Sequence, residues 1–96
     1  MDRVRVYQLG LENRMKFYRF DENNIPDKSV YNVVFDGELQ TSNAGVQDRL
    51  EDIFCTLNVG KKPEGYRGHS LSVSDVVELD GEFWYVDSIG FRKMPW

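Results

Sequence analysis

Ninety-six residues suffice for one hydrophobic core and not for two, since a domain usually organises about 100 to 150 residues around its core. Hydrophobic residues make up 41% of the chain and aromatics 14%, enough large side chains to offset the entropy of ordering, so disorder throughout is excluded. The formal net charge of −4 has the wrong sign for a general polyanion binder.

In chain order, Val4, Val6 and Leu9 alternate with Arg3, Arg5 and Tyr7, which predicts a half-buried strand ending at Gly10. Arg14 to Phe20 is a second extended candidate, with Met15 and Phe17 on one side and Lys16, Tyr18 and Phe20 on the other. Asp21 to Lys28 has turn chemistry and no periodicity. Val30 to Asp36 is β-branched and aromatic, a strand in which Tyr31, Val33 and Phe35 are expected to share a face. From Val46 the period changes: Val46, Leu50, Ile53, Phe54 and Leu57 lie at helical spacing, with Gln47, Asp48, Arg49, Glu51 and Asp52 on the other side. One amphipathic helix is predicted over Val46 to Leu57, capped by Ser42 or Asn43 and stopped by Asn58 and Gly60. Lys61 to His69 is rich in breakers and reads as a loop. Val76 to Leu79, Asp80-Gly81 and Glu82 to Ser88 form the clearest local signal, a hairpin with a two-residue turn pairing Val77 with Trp84, Glu78 with Phe83 and Val76 with Tyr85.

These elements predict an α+β domain spanning residues 1–96. Its mainly antiparallel sheet of about five strands carries one amphipathic helix on one face, in the order β-β-β-α-β-β. No run of roughly 18 apolar residues is present, and no apolar stretch of signal-peptide length follows Asp2, Arg3 and Arg5, so neither a membrane span nor secretion is expected. Cys55, the one cysteine, suits a reducing cytoplasm and a buried position in the helix.

Charge is unevenly distributed. Residues 1–20 hold five bases against two acids, whereas residues 21–60 hold eight acids against two bases. Either the two segments meet and neutralise one another or each faces a partner; the first is the expectation.

His69 stands among Ser70, Ser72, Ser74 and Asp75, residue types that also build hydrolase sites. Such a site needs those groups oriented by separate elements and an oxyanion hole, so loop hydrogen bonding is the plainer reading. Gly60-Lys61-Lys62-Pro63-Glu64-Gly65 has the glycine spacing of a phosphate loop, but Tyr66-Arg67 follows where Lys and Ser or Thr are required. Asp48, Glu51 and Asp52 read as a solvated helix face or as a mimic of phosphate. Lys61, Lys62, Tyr66 and Arg67, or Arg14, Lys16 and Tyr18, could contact RNA by charge and stacking. Phe91 to Trp96 ends the chain with aromatic and basic side chains of the kind that anchor interfaces.

Leu50-Glu51-Asp52-Ile53-Phe54, the run from Gly68-His69-Ser70-Leu71-Ser72-Val73-Ser74-Asp75 to Val76-Val77, and Tyr85-Val86-Asp87-Ser88-Ile89-Gly90-Phe91 resemble the YodL-like family. The resemblance begins at Val6-Tyr7-Gln8-Leu9 and covers nearly the whole chain. Glu64-Gly65-Tyr66-Arg67 departs from it, standing where members look like Pro-Glu-Asp-Phe. Domains of this family occur in Bacillota and their mobile elements, alone or appended to larger proteins of conjugative elements, and no enzymatic activity is established for them as a class. The resemblance implies a cytoplasmic, non-enzymatic accessory or regulatory module acting through a protein partner, without a cofactor, and it transfers no catalytic residue.

The expected partner anchors are Phe83, Tyr85, Phe91 and Trp96, with Tyr66 and Arg67 of the adjacent loop. His69, Ser70, Ser72, Ser74, Asp75 and Asp87 are expected to lock that loop against the last strand, His69 or a serine supplying the partner for Asp87. Nucleic acid is the alternative partner; a membrane is not expected.

Overall fold

The computed structural model describes residues 2–10, 20–21, 23–42, 45–59 and 61–96. Among them the elements are β1 (Asp2–Leu9), β2 (Tyr31–Leu39), α1 (Val46–Asn58), β3 (Val76–Leu79), β4 (Glu82–Asp87) and β5 (Gly90–Met94), with one 3-10 turn at Lys28–Val30. The five strands form one sheet in the order β2-β1-β3-β4-β5, and every neighbouring pair is antiparallel. The fold is therefore the predicted α+β class. The extended segment expected at Arg14 to Phe20 lies outside the described residues except for Phe20, and the fifth strand comes from the C-terminal Gly90–Met94.

The β3–β4 hairpin has the predicted register, Val76↔Tyr85, Val77↔Trp84 and Glu78↔Phe83. Its turn is set by Asp80 at φ 56° and Gly81 at φ 78°, the two positive values that such a turn demands. In β2 the expected alternation breaks. Val6 pairs with Phe35 and Tyr7 with Val33, so Val34 is an extra residue and the pairing shifts. Tyr31 and Phe35 consequently serve different cores, and Val33 is exposed. The shared face expected for Tyr31, Val33 and Phe35 is corrected by that bulge.

On one face of the sheet, Leu50, Ile53 and Leu57 of α1 press on Val4, Val6, Phe35, Val77, Trp84 and Val86. Each fully buried large side chain there contributes about 1.5 to 3 kcal/mol. Phe54 was expected in this row but sits at its margin, 36% exposed, and Cys55 is exposed rather than buried. The helix is entered at Gly45 without a side-chain cap; Ser42 instead donates its N–H to Asp52 Oδ2 at 2.8 Å. Asn43 and Gly60 lie outside the described residues.

The other face carries a second core of Tyr7, Phe20, Tyr31, Val76, Tyr85 and Met94. Beside it, Arg3 and Arg5 pair with Asp36 at 2.7 and 3.1 Å, while on the helix side Arg49 pairs with Asp2 at 2.8 Å. The basic first segment and the acidic middle thus meet within the fold.

Candidate functional site

Gln8 lies on the helix side of β1 with Val4 and Val6, yet it is an amide only 2% exposed. A buried amide needs partners, and the loop from Tyr66 to Asp75 supplies them. Gln8 Nε2 donates to the His69 carbonyl at 2.9 Å and to Asp75 Oδ2 at 3.1 Å, while its Oε1 accepts the His69 N–H at 3.1 Å. The Tyr66 hydroxyl donates to the same His69 carbonyl at 2.6 Å. Asp75 Oδ2 also accepts the Ser72 N–H at 2.9 Å. A Cβ on Gly68 would overlap Gln8 Oε1 and stand 2.8 Å from Val34 Cγ2, so the chain passes here because residue 68 has no side chain.

The same loop is tied to three further elements. Asn58, at the end of α1, accepts the Leu71 N–H at 2.7 Å and donates to the Leu71 carbonyl at 3.0 Å. Arg67 N–H donates to the carbonyl of Val34, the bulge residue of β2, at 2.8 Å. Ser74 N–H donates to the Val86 carbonyl at 3.0 Å and Val86 N–H to the Asp75 carbonyl at 2.8 Å, so β4 is gripped at its far end. Ser74 adopts φ 85°, with its carbonyl accepting the Tyr31 hydroxyl at 2.6 Å.

Burial disfavours the charged carboxylate and pushes Asp75 up to about 6, against the opposing pull of the Ser72 amide, His69 and Gln8. Burial, reinforced by the Asp75 charge, raises the Tyr66 hydroxyl to about 12, so it remains a donor at neutral pH. His69 Nδ1 lies 2.7 Å from the Ser70 carbonyl, which can only accept, so that nitrogen carries the proton; Gln8 Nε2, 3.4 Å away, does not donate to it. The Ser70 hydroxyl accepts from Lys62 Nζ at 3.2 Å. The imidazole, the hydroxyl and the carboxylate therefore point to separate partners. Among the described residues no three His, Cys, Asp or Glu side chains converge as a metal site.

Val86, gripped by the loop, forms one wall of a groove of about 230 Å³ between α1 and the β4–β5 turn. Phe54, Cys55 and Phe91 complete its apolar lining and Glu51 adds a carboxylate; Asp87 also borders the groove, but its carboxylate turns to the other face of the sheet, toward Arg92. Phe54 and Phe91 meet edge to face, with ring centroids 6.3 Å apart at 77°. At the tip of the turn, between the lining residues Ser88 and Gly90, Ile89 is 92% exposed.

The expected anchors are distributed differently. Tyr85 and Phe91 are 1% and 9% exposed and belong to the two cores; Tyr85 offers almost no surface to a partner, whereas Phe91 reaches the groove as part of its lining. Phe83 and Trp96 are half-buried: the Trp96 ring packs on Tyr7, Tyr31 and Phe83 with centroids 5.0 to 5.7 Å away, and its Nε1–H donates to the Pro26 carbonyl at 2.8 Å. The tail thus folds back on the sheet. Tyr66 is held in the loop, whereas the Arg67 side chain is exposed. Asp87 is served by the Ser88 N–H at 2.8 Å and Arg92 at 3.4 Å, not by His69 or a serine hydroxyl, because the loop lies on the helix side and packs against Gln8. Arg14, Lys16 and Tyr18 lie outside the described residues.

Sequence reasoning did not single out Ile89 as a contact residue. Its signal was present: an isoleucine in a hairpin turn, where polar residues are the rule, serves no evident local purpose.

Together these features define an α+β domain in which α1 packs on one face of a five-stranded antiparallel sheet and a motif loop is fastened to the first strand. A family profile described as the YodL-like domain matches residues 3–96, and the chain belongs to that family. No curated protein and no solved structure is similar to the chain. No helix among the described residues is long and apolar enough to cross a membrane.

Proposed function

We propose that this YodL-like domain is a non-enzymatic accessory or regulatory module that acts in the cytoplasm by binding a protein partner, as encoded by mobile elements of Bacillota. The observation that carries the reading is Ile89, 92% exposed at the lip of an apolar groove floored by Val86 and Phe91. A single exposed apolar residue is ordinary, but here it adjoins an apolar groove, and the two together offer a contiguous surface for a partner to cover. The fastened loop holds Val86 and, through it, the groove wall. Its polar side chains are engaged with Gln8, with backbone groups and with one another, which favours a scaffold over a reaction centre.

The alternative, a nucleic-acid-binding or phosphate-mimicking accessory, has less support. Asp52 is engaged with the Ser42 amide, and Arg3 and Arg5 are engaged with Asp36. Affinity capture with the wild type and an Ile89→Ser, Phe54→Ser double variant tests the reading. A specific polypeptide retained by the wild type and lost from the folded variant is the expected result; an identical set of retained proteins, or nucleic acid as the retained species, would overturn it.

A further inference from the structure

The chemistry of the groove narrows the kind of partner it takes, and this inference rests on the interaction reading above. We propose that the groove between α1 and the β4–β5 turn accepts one bulky apolar side chain presented by a basic peptide segment.

Size decides the apolar part. A volume of about 230 Å³ falls below the roughly 300 to 1,000 Å³ typical of small-molecule and cofactor sites, and suits one leucine, phenylalanine or tryptophan side chain. Phe54, Cys55, Val86 and Phe91 offer that side chain carbon and sulfur surface, and Ile89 extends the contact beyond the lip.

Charge decides the flanks. The carboxylate on the groove's side is that of Glu51, since Asp87 turns its own to Arg92 on the other face of the sheet, and no basic residue lines the groove. Glu51 and the exposed Asp48, three residues earlier on α1, make no ion pair among the described residues. A segment carrying Lys or Arg beside its apolar residue would place positive charge against these carboxylates, whereas an acidic segment would be repelled. The chain's net charge of −4 acts in the same sense at longer range.

Selection from a phage-displayed random peptide library on the immobilised domain, followed by anisotropy titration of the enriched peptides at low and high salt, tests the inference. Enriched peptides are expected to place Lys or Arg next to Phe, Trp or Leu. Their affinity is expected to fall by about tenfold or more with Ile89→Ser plus Phe54→Ser. It is expected to fall several-fold, with a flatter salt dependence, for Asp48→Asn plus Glu51→Gln. Ile89→Ser alone, at a fully solvated position, guards against misfolding as the cause of the loss. Acidic or uncharged peptides that still depend on Phe54 and Ile89 would overturn the basic partner and leave the groove standing as a contact site. Peptides indifferent to both residues, or no enrichment, would overturn the groove itself.

Discussion

Asp75 is a carboxylate 3% exposed, faced by Gln8, His69, Tyr66 and the Ser72 amide, and its folded-state value is raised from 3.8 to about 6. Between those values the folded chain holds a proton that the unfolded chain has released, so stability falls as pH rises through that window and levels off above it. The change is on the order of 2 to 3 kcal/mol. Asp2 and Asp36 act in the opposite sense at lower pH: hydrogen bonds, from Thr41 and Arg49 and from Arg5 and Arg3 respectively, lower both, so their contribution is lost on strong acidification. Urea midpoints measured across this range are expected to decline from about pH 4.5 to 6.5 in the wild type and to stay level in Asp75→Asn; parallel curves would contradict the assignment. Gly68→Ala is expected to cost about 1 to 3 kcal/mol by overpacking against Gln8 and Val34. In a double-mutant cycle that cost should shrink on a Gln8→Ala background, because the nearest obstacle is gone. An undiminished cost would place the strain elsewhere.

At the scale of elements, the helix is held by the Leu50, Ile53 and Leu57 stripe rather than by capping. Ile53→Ala is expected to cost about 2 to 5 kcal/mol in equilibrium unfolding, and Phe54→Ala less than about 1.5 kcal/mol, since Phe54 is 36% exposed. Equal losses would mean that Phe54 is a core residue after all. The spacing of Val46, Leu50, Ile53 and Leu57 made the helix legible, and Asp80-Gly81 made the hairpin and its register legible, because both signals are local. Phe54 was less readable: at about 100° round from Ile53, its burial depends on how far the sheet extends beneath the helix. The bulge at Val34 was not legible at all. Its carbonyl is bonded by Arg67, 33 positions away in the sequence, and one extra residue reverses which face Tyr31 serves.

Across the whole molecule, charge and aromatics that looked available in the sequence are largely consumed internally. Asp36 gathers Arg3 and Arg5, and Trp96 closes over Tyr7, Tyr31 and Phe83 with Lys28 Nζ 4.9 Å from the Phe83 ring centroid. Among the described residues, Ile25, Val33 and Val59 are exposed away from the groove lining, and Ile89 is exposed beside the apolar groove with Glu51 at its edge. The motif from Gly68 to Val77 pointed to the family from sequence alone, but the groove could not be read there, because it is assembled from α1, β4 and β5. Cys55, the one cysteine, lies in the groove and is exposed, so a photoactivatable cross-linker can be placed there without altering the fold's core. The most direct test is photo-cross-linking in cells from Cys55, compared with the same reagent moved to the opposite side of the sheet by Cys55→Ser with Val33→Cys. A discrete protein adduct from Cys55, absent from the Val33→Cys chain and suppressed by Ile89→Ser, is the predicted result; adducts formed equally from both positions, or from neither, would contradict a partner seated in this groove.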